Sequence, residues 1–168
     1  IGADAAYYND KGKVFVGTNT YREGLDPSLP TTLFIENLDK IGMVVEKPNE
    51  DEKAHGVSVK SFFFIACFAP SINPQTSAAE ALQFNYRWPK FHTMPPDRLC
   101  IDELVRIADG LYLGQLLYST EPLIPFDPAR DPADYKYENF GFFMLMDDQW
   151  QRIRNFIEFD VEKTLMQL

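Results

Sequence analysis

Hydrophobic and polar residues alternate with a period of two along much of this chain. From Leu82 to Trp88 an apolar side chain occupies every second position, which is typical of a strand with one buried face. Val57–Lys60 begins in the same way, and Phe62–Phe68 is then apolar at every position. The pattern predicts a long strand that begins with one solvent-exposed face and ends with both faces buried.

Turn signals separate these extended segments. Asp109-Gly110 lies between Leu99–Ile107 and Leu111–Tyr118, and such a dipeptide between two strand-like segments favours a tight hairpin. A second hairpin is predicted at residues 9–12. The strands of that second hairpin, and three further predicted strands, are Ala5–Tyr8, Lys13–Arg22, Thr32–Leu38, Ile41–Lys47 and Asn139–Met146.

Short successive strands without alternating helices predict a mainly β fold. We expect an antiparallel meander that forms a closed or strongly curved barrel. An α+β fold, with a curved antiparallel sheet and one packing helix, is the alternative. The whole chain, 1–168, is long enough for one domain with its own core.

The C-terminal segment 147–168 has a different period. Asp147-Asp148 can cap a helix, and the apolar residues that follow recur at steps of three and four. This predicts a helix on the outside of the barrel, although a local alternation at residues 157–161 also fits a strand. The apolar stripe consists of Trp150, Ile153, Ile157, Val161, Leu165 and Leu168.

A meander followed by a helix resembles the layout of the lipocalins and calycins. The likeness is one of layout, because the early Gly-x-Trp motif of that family is missing. Gly12-Lys13-Val14 and Gly17-Thr18-Asn19 stand near the start instead. No site residue is therefore transferred from the family.

Charge and hydropathy exclude some classes of function. The net charge of −9 argues against binding to a phosphate backbone, which requires a surplus of Lys and Arg. No apolar run is long enough to predict a transmembrane helix. A chain that starts at Ile1 is compatible with a processed mature chain of an organelle or an exported protein, and its compartment stays open.

One long segment, 120–138, is predicted to be a loop because its four prolines exclude a helix and a central strand. A loop of this length in a compact domain is typical of a functional or interaction surface. We expect Phe126, Tyr135 and Tyr137 to dock a partner protein there.

The aromatic content of 14% carries the functional hypothesis. Several strands are apolar in both directions, so one face fills the barrel and the other must meet a helix, a partner, a lipid or a bound molecule. We expect a non-enzymatic module that binds a lipid or pigment, or serves as an accessory subunit of a larger, membrane-associated assembly. The predicted ligand-lining residues are Phe63, Phe84, Tyr86, Trp88, Tyr112 and Phe142.

No metal or catalytic motif is present, and neither a metal nor another cofactor is predicted. An enzyme that acts on an apolar substrate is the alternative, with Glu103, His92 or Asp102 as acid or base. Strand parity alone would place Glu103 inward and Asp102 outward, but we favour a bulge that turns Glu103 to solvent. Cys67 and Cys100 are expected to be buried, and a disulfide would require neighbouring strands.

Overall fold

The computed structural model describes residues 5–22, 34–35, 37–76 and 79–156. Six strands form one antiparallel sheet in which the spatial order follows the chain order, so the predicted meander is confirmed. The strands are β1 (Val14–Arg22), β2 (Val57–Pro70), β3 (Glu80–Asn85), β4 (Cys100–Ala108), β5 (Leu111–Ser119) and β6 (Tyr137–Met146).

Helices are short and lie outside the sheet ladder. They are α1 (Ala6–Asn9), α2 (Glu50–Ala54) and α3 (Asp148–Phe156), with 3-10 turns at Pro89–Phe91, Asp97–Leu99 and Pro132–Asp134. The predicted C-terminal helix is confirmed as far as Phe156, and Asp147 Oδ1 caps it by accepting the backbone N–H groups of Gln149 and Trp150. The rest of 147–168 lies outside the described residues. Among those described, no helix has the length and apolar character needed to cross a bilayer.

The expectation of a closed barrel is wrong, because β1 and β6 are separate edges of an open sheet. Segments expected to supply further strands do not do so. Ala5–Tyr8 is largely helical, and Ile41–Lys47 contributes only one bridge, from Glu46 to Lys60. Within Thr32–Leu38, the described part is helical or turn, and residues 32, 33 and 36 lie outside the description. The alternative fits: a curved antiparallel sheet with one C-terminal helix.

The two predicted hairpins have opposite outcomes. β4 and β5 are joined by Asp109-Gly110, where Gly110 adopts a positive φ of 69° that favours glycine. The hairpin at residues 9–12 does not form, because its first arm is α1. β1 pairs with β2 instead, across the long connection of residues 23–56.

Each strand has two faces, which we name after consecutive residues of β4. The Glu103 face also carries Ile65 and Cys67 of β2, which pack against Tyr8, Trp88, Phe126 and Tyr135. The Asp102 face carries Phe64 and Phe84, whose rings stack at 4.5 Å. Leu38 and Met43 belong to the cluster on this second face. β2 is therefore covered on both sides over its middle part, but Phe68 near its end is 54% exposed, so the prediction that the strand ends covered on both faces is wrong.

Strand β6 is the opposite case. Phe140 and Phe142 are 77% and 71% exposed, and Met144 and Leu145 are exposed as well. Among the described residues, nothing covers these side chains. The edge strand thus presents apolar groups to solvent on both faces.

Two glycines allow aromatic rings to lie flat on the Asp102 face. Gly17 pairs with Phe64, and Gly114 pairs with Phe143. A Cβ atom at either glycine would collide with the ring of its partner. The absence of a side chain at these two positions lets the rings cross the neighbouring strand.

Candidate functional site

A cleft of about 580 Å³ lies between residues 87–99 and the Pro-rich loop 120–138. We call it the Arg87 cleft. Most of its wall is apolar. Its lining includes Trp88, Met94, Leu99, Leu123, Ile124 and Phe126, with polar groups from Arg87, His92, Thr93 and Arg98.

The end of β3 positions Arg87. Asn85 is the last residue of the strand, and its Oδ1 accepts the backbone N–H of Arg87 at 2.8 Å. The Asn85 amide donates in turn to the Tyr8 hydroxyl at 2.5 Å. This buried pair holds the turn after the strand, and Arg87 lies under the Pro-rich loop.

The guanidinium of Arg87 is enclosed by the loop. Nη1 donates to the Tyr137 hydroxyl at 2.6 Å, and Nη2 donates to the Ile124 carbonyl at 3.3 Å. The rings of Phe126, Tyr135 and Tyr137 lie 4.7–5.4 Å from the guanidinium carbon, which is the geometry of cation–π contacts. Arg87 is only 4% exposed.

In the described part of the chain, Arg87 forms no ion pair with a carboxylate and therefore has no counterion. Its Nε has no hydrogen-bond partner. Burial raises the pKa of the Tyr137 phenol to about 12, and the neighbouring Arg87 charge opposes this rise. The aromatic enclosure therefore surrounds the cation without neutralising it.

A second buried donor lines the same cleft. Thr93 is 7% exposed, and its hydroxyl has no partner. Arg98 and His92 add exposed polar side chains at the rim, and His92 adopts a positive φ of 49°. No Asp or Glu is among the described lining residues. In a protein of net charge −9, this is a local concentration of cationic and donor groups.

A second cleft, of about 340 Å³, lies on the Asp102 face. Asp102 is its central ionisable group, and Asp102 Oδ1 is buried without a partner. Burial raises the pKa of the Asp102 carboxyl to about 7; the Tyr86 hydroxyl opposes this rise, and the Asp97 charge adds to it. Burial likewise raises the pKa of Asp97. The other walls include Asn19, Cys100, Leu116, Tyr118, Phe140 and Phe143.

Glu103 faces the opposite side in regular register with Gln83 and Gln115, so the favoured bulge that would turn it to solvent is wrong and strand parity holds. Its oxygens accept four hydrogen bonds, from Ser71 Oγ, the Ile72 backbone N–H and the side-chain amides of Gln83 and Gln115. Glu103 borders a third cleft of about 250 Å³ with almost wholly apolar walls. Since its acceptors are occupied, this carboxylate ties residues 71–72 to the sheet.

The predicted ligand-lining residues are distributed over all three clefts. Trp88 lines the Arg87 cleft, Tyr86 the Asp102 cleft, and Phe142 the third cleft. The structure does not bring them together. Phe63, Phe84 and Tyr112 line none of these clefts.

The aromatic residues predicted to dock a partner lie at the Arg87 guanidinium. Phe126 and Tyr135 are buried, and Tyr137 is half-buried. Within the chain they hold the Pro-rich loop around the cation, and docking stays a prediction.

Both cysteines are free and buried. Cys67 lies in β2 on the Glu103 face, whereas Cys100 lies in β4 on the Asp102 face, with β3 between them. The neighbouring strands that a disulfide would need are therefore not those that carry the two thiols.

Arg87 and Thr93 are the residues that sequence reasoning missed. Arg87 sits between Tyr86 and Trp88 in an alternating run and reads there as the solvent side of a strand. The loop 120–138 is about as rich in Tyr and Phe as the rest of the chain, so no sequence signal connects this arginine with it. No feature of the sequence distinguished Thr93.

No family model, curated protein or solved structure matches this chain. Within the described ranges, no three His, Cys, Asp or Glu side chains group in a way that could hold a metal ion. The function is therefore inferred from the geometry of the clefts.

Proposed function

We propose that the protein is a non-enzymatic binding module that holds an apolar small molecule, of the lipid or pigment class, in the Arg87 cleft. The observation that carries this proposal is the exposure of apolar side chains around a concave wall. Leu123 is 94% exposed at the rim, and Met94 and Ile124 are exposed beside it. An exposed apolar rim around a cleft is typical of a binding site.

The dimensions agree with such a ligand. Small-molecule sites commonly have volumes of about 300–1,000 Å³ with mostly apolar walls and a few polar groups. The Arg87 cleft, at about 580 Å³, lies within this range. Covering an exposed Leu side chain contributes roughly 2 kcal/mol, so contact with Leu123 alone would favour an apolar guest appreciably.

Titration with Nile red, a neutral apolar probe, tests the proposal. We expect saturable fluorescence enhancement in the wild type and binding weaker by about thirtyfold or more in the double variant Leu123→Ser/Ile124→Ser, since the contact with Leu123 alone contributes roughly 2 kcal/mol. Ile107→Ser is the matched control, because Ile107 is also exposed but lines none of the three clefts. Equal loss in the control would contradict binding in the Arg87 cleft.

A role as an accessory subunit is the other form of this proposal. Its support is the exposed apolar surface of β6, where Phe140 and Phe142 stand uncovered within the described chain. Native mass spectrometry of material purified from its source would separate the two forms. A retained small-molecule mass supports the binding module, and a second polypeptide at fixed stoichiometry supports the subunit.

An acid/base enzyme acting on an apolar substrate is a second candidate function, favoured by Asp102. A carboxyl with a pKa of about 7 in a partly aromatic cleft can both release and accept a proton at neutral pH. Apolar esters and ketones would be screened for hydrolysis or exchange of α-protons. Turnover that is equal in wild type and Asp102→Asn would contradict this role.

A further inference from the structure

We propose that the ligand of the Arg87 cleft carries an anionic oxygen group, a carboxylate or a phosphate, which binds to the guanidinium of Arg87 and the hydroxyl of Thr93. This inference rests on the proposed function and specifies the class of molecule: an amphiphile with an apolar body and an anionic head.

The first observation is the buried charge itself. Removing a guanidinium from water is costly unless an anion or several acceptors compensate it. Arg87 has five N–H donors, whereas its described acceptors are the Tyr137 hydroxyl and the Ile124 carbonyl. The three rings around it supply cation–π attraction but accept no conventional hydrogen bond. Donors therefore remain for an anion.

A purely structural role does not account for all of these donors. Nη1 and Nη2 hold the Pro-rich loop through Tyr137 and Ile124, and that is sufficient to anchor it. Nε takes no part in this anchoring and has no other partner. The fork of an arginine is suited to binding carboxylate or phosphate through two neighbouring N–H groups.

The buried hydroxyl of Thr93, in another segment of the chain, supports an anionic ligand independently. A buried hydroxyl without a partner loses its hydrogen bonds to water and gains nothing in return. Thr93 lines the same cleft as Arg87, and its Oγ1 is buried there. An anionic oxygen is an acceptor that could satisfy both groups.

The remaining wall selects against other ligands. Arg98 adds a positive charge, and no described lining residue is acidic, so a cationic ligand finds no counter-charge. The apolar walls from Trp88 to Phe126 disfavour a small, fully hydrated anion alone. Charge and hydropathy together point to an anionic amphiphile.

The experiment compares dodecanoate, dodecyl phosphate, dodecanol and inorganic phosphate as competitors of Nile red, each below its critical micelle concentration. We expect both anionic amphiphiles to bind about tenfold more tightly than dodecanol, because charge-assisted hydrogen bonds are added to the same apolar chain. Inorganic phosphate is expected to compete weakly or not at all.

Two variants assign the preference to the named groups. Arg87→Met removes the charge and is expected to make dodecanoate and dodecanol equivalent. Thr93→Val is nearly isosteric and removes a hydroxyl that has no hydrogen-bond partner among the described residues, so we expect the fold to be retained. It should weaken the anionic amphiphiles about threefold to tenfold while leaving dodecanol unchanged. Thr20→Val, at an exposed position of β1, is the control.

The possible results test the anionic head group, the proposed function and the assignment to Arg87 and Thr93 separately. If dodecanol competes as well as dodecanoate and dodecyl phosphate in the wild type, the anionic head is wrong and the proposed function stands. If no amphiphile competes and Nile red itself does not bind, the proposed function fails. An anion preference that survives in Thr93→Val and in a folded Arg87→Met overturns the assignment to these two residues.

Discussion

Asp102 and Glu103 are consecutive carboxylates on β4, yet the two faces of the sheet treat them differently. Glu103 is 2% exposed and accepts four hydrogen bonds from residues of β3, β5 and the 71–72 turn. Asp102 is partly exposed in a cleft with aromatic walls, and its Oδ1 has no partner. Burial raises the pKa of the Asp102 carboxyl to about 7.

The difference shows that burial alone does not make a carboxylate reactive. Donors aimed at an ionised carboxylate compensate its lost hydration, whereas burial without donors favours the protonated acid. Glu103 therefore has a structural role, held by four hydrogen bonds, and Asp102 is a group poised to titrate near neutral pH. Arg87 is the cationic counterpart of Asp102, because it too is left with unused hydrogen-bonding capacity.

The largest expected effect is on the Glu103 face. Glu103→Gln places an amide N–H₂ among four donors, so we expect a loss of about 3 kcal/mol in the free energy of unfolding. Urea denaturation measures it. Glu138→Gln removes an exposed charge on β6 and should change stability by less than about 0.5 kcal/mol. A Glu103 variant as stable as this control would contradict a structural role.

Asp102→Asn should instead increase the free energy of unfolding. The pKa of Asp102 in the folded protein, about 7, lies above that of the unfolded chain, so folding favours the protonated acid. The stability this provides is complete below about pH 4 and is lost as pH rises through 7. A rise of about three pKa units corresponds to roughly 4 kcal/mol, and about half of that is expected because Asp102 is partly exposed to solvent. Replacing the ionised carboxylate by a neutral amide should therefore stabilise the protein by about 2 kcal/mol at pH 8.

The same variant should gain little at pH 4, where the wild-type carboxyl is already neutral. Thermal unfolding of wild type and variant at both pH values tests the sign. Destabilisation at pH 8 would show that the carboxylate has a partner that the structure does not reveal.

Gly114→Ala tests how the Asp102 cleft is built. The new Cβ would collide with the Phe143 ring, which forms one wall of that cleft. We expect a loss of about 1 kcal/mol from displacement of the ring. Chemical shifts around Asp102 should change while those around Glu103 stay constant. Equal changes on both faces would argue that the two sides of the sheet are coupled.

The smallest effect is expected from Tyr86→Phe. The Tyr86 hydroxyl lowers the pKa of Asp102, so its removal should raise the titration midpoint of the Asp102 carboxyl. Carbon-13 NMR of that carboxyl measures the change directly. Tyr112→Phe is the control, because Tyr112 lines none of the three clefts. A midpoint that moves downward would show that Tyr86 does not stabilise the ionised form.

Local sequence signals predicted the elements whose partners are close in the chain. Asp109-Gly110 identified the β4–β5 hairpin, and the apolar pattern identified β2 and most of β3 as strands. The buried side of β3 was predicted wrongly, because the polar Gln83 and Asn85 are buried whereas Leu82 and Phe84 are only half-buried. Parity alone gave the direction of Glu103, although the bulge that we favoured does not form. These properties depend on turn chemistry and side-chain direction within one short segment.

Closure and the clefts could not be predicted in this way. Whether β1 meets β6 depends on the number and twist of strands, and Ala5–Tyr8 shows that a short apolar segment fits a helix as well as a strand. Arg87 reaches its ring enclosure because residues far along the chain fold over it. That encounter is tertiary, and no local pattern encodes it.

The order of the strands in the meander also indicates the order in which they pair during folding. β4 and β5 need to close only a two-residue turn, so their ladder carries a small loop-closure entropy and is suited to form early. β1 must instead find β2 across residues 23–56. β1, the first strand of the chain, is therefore expected to be the last to pair with the sheet and the first to separate from it.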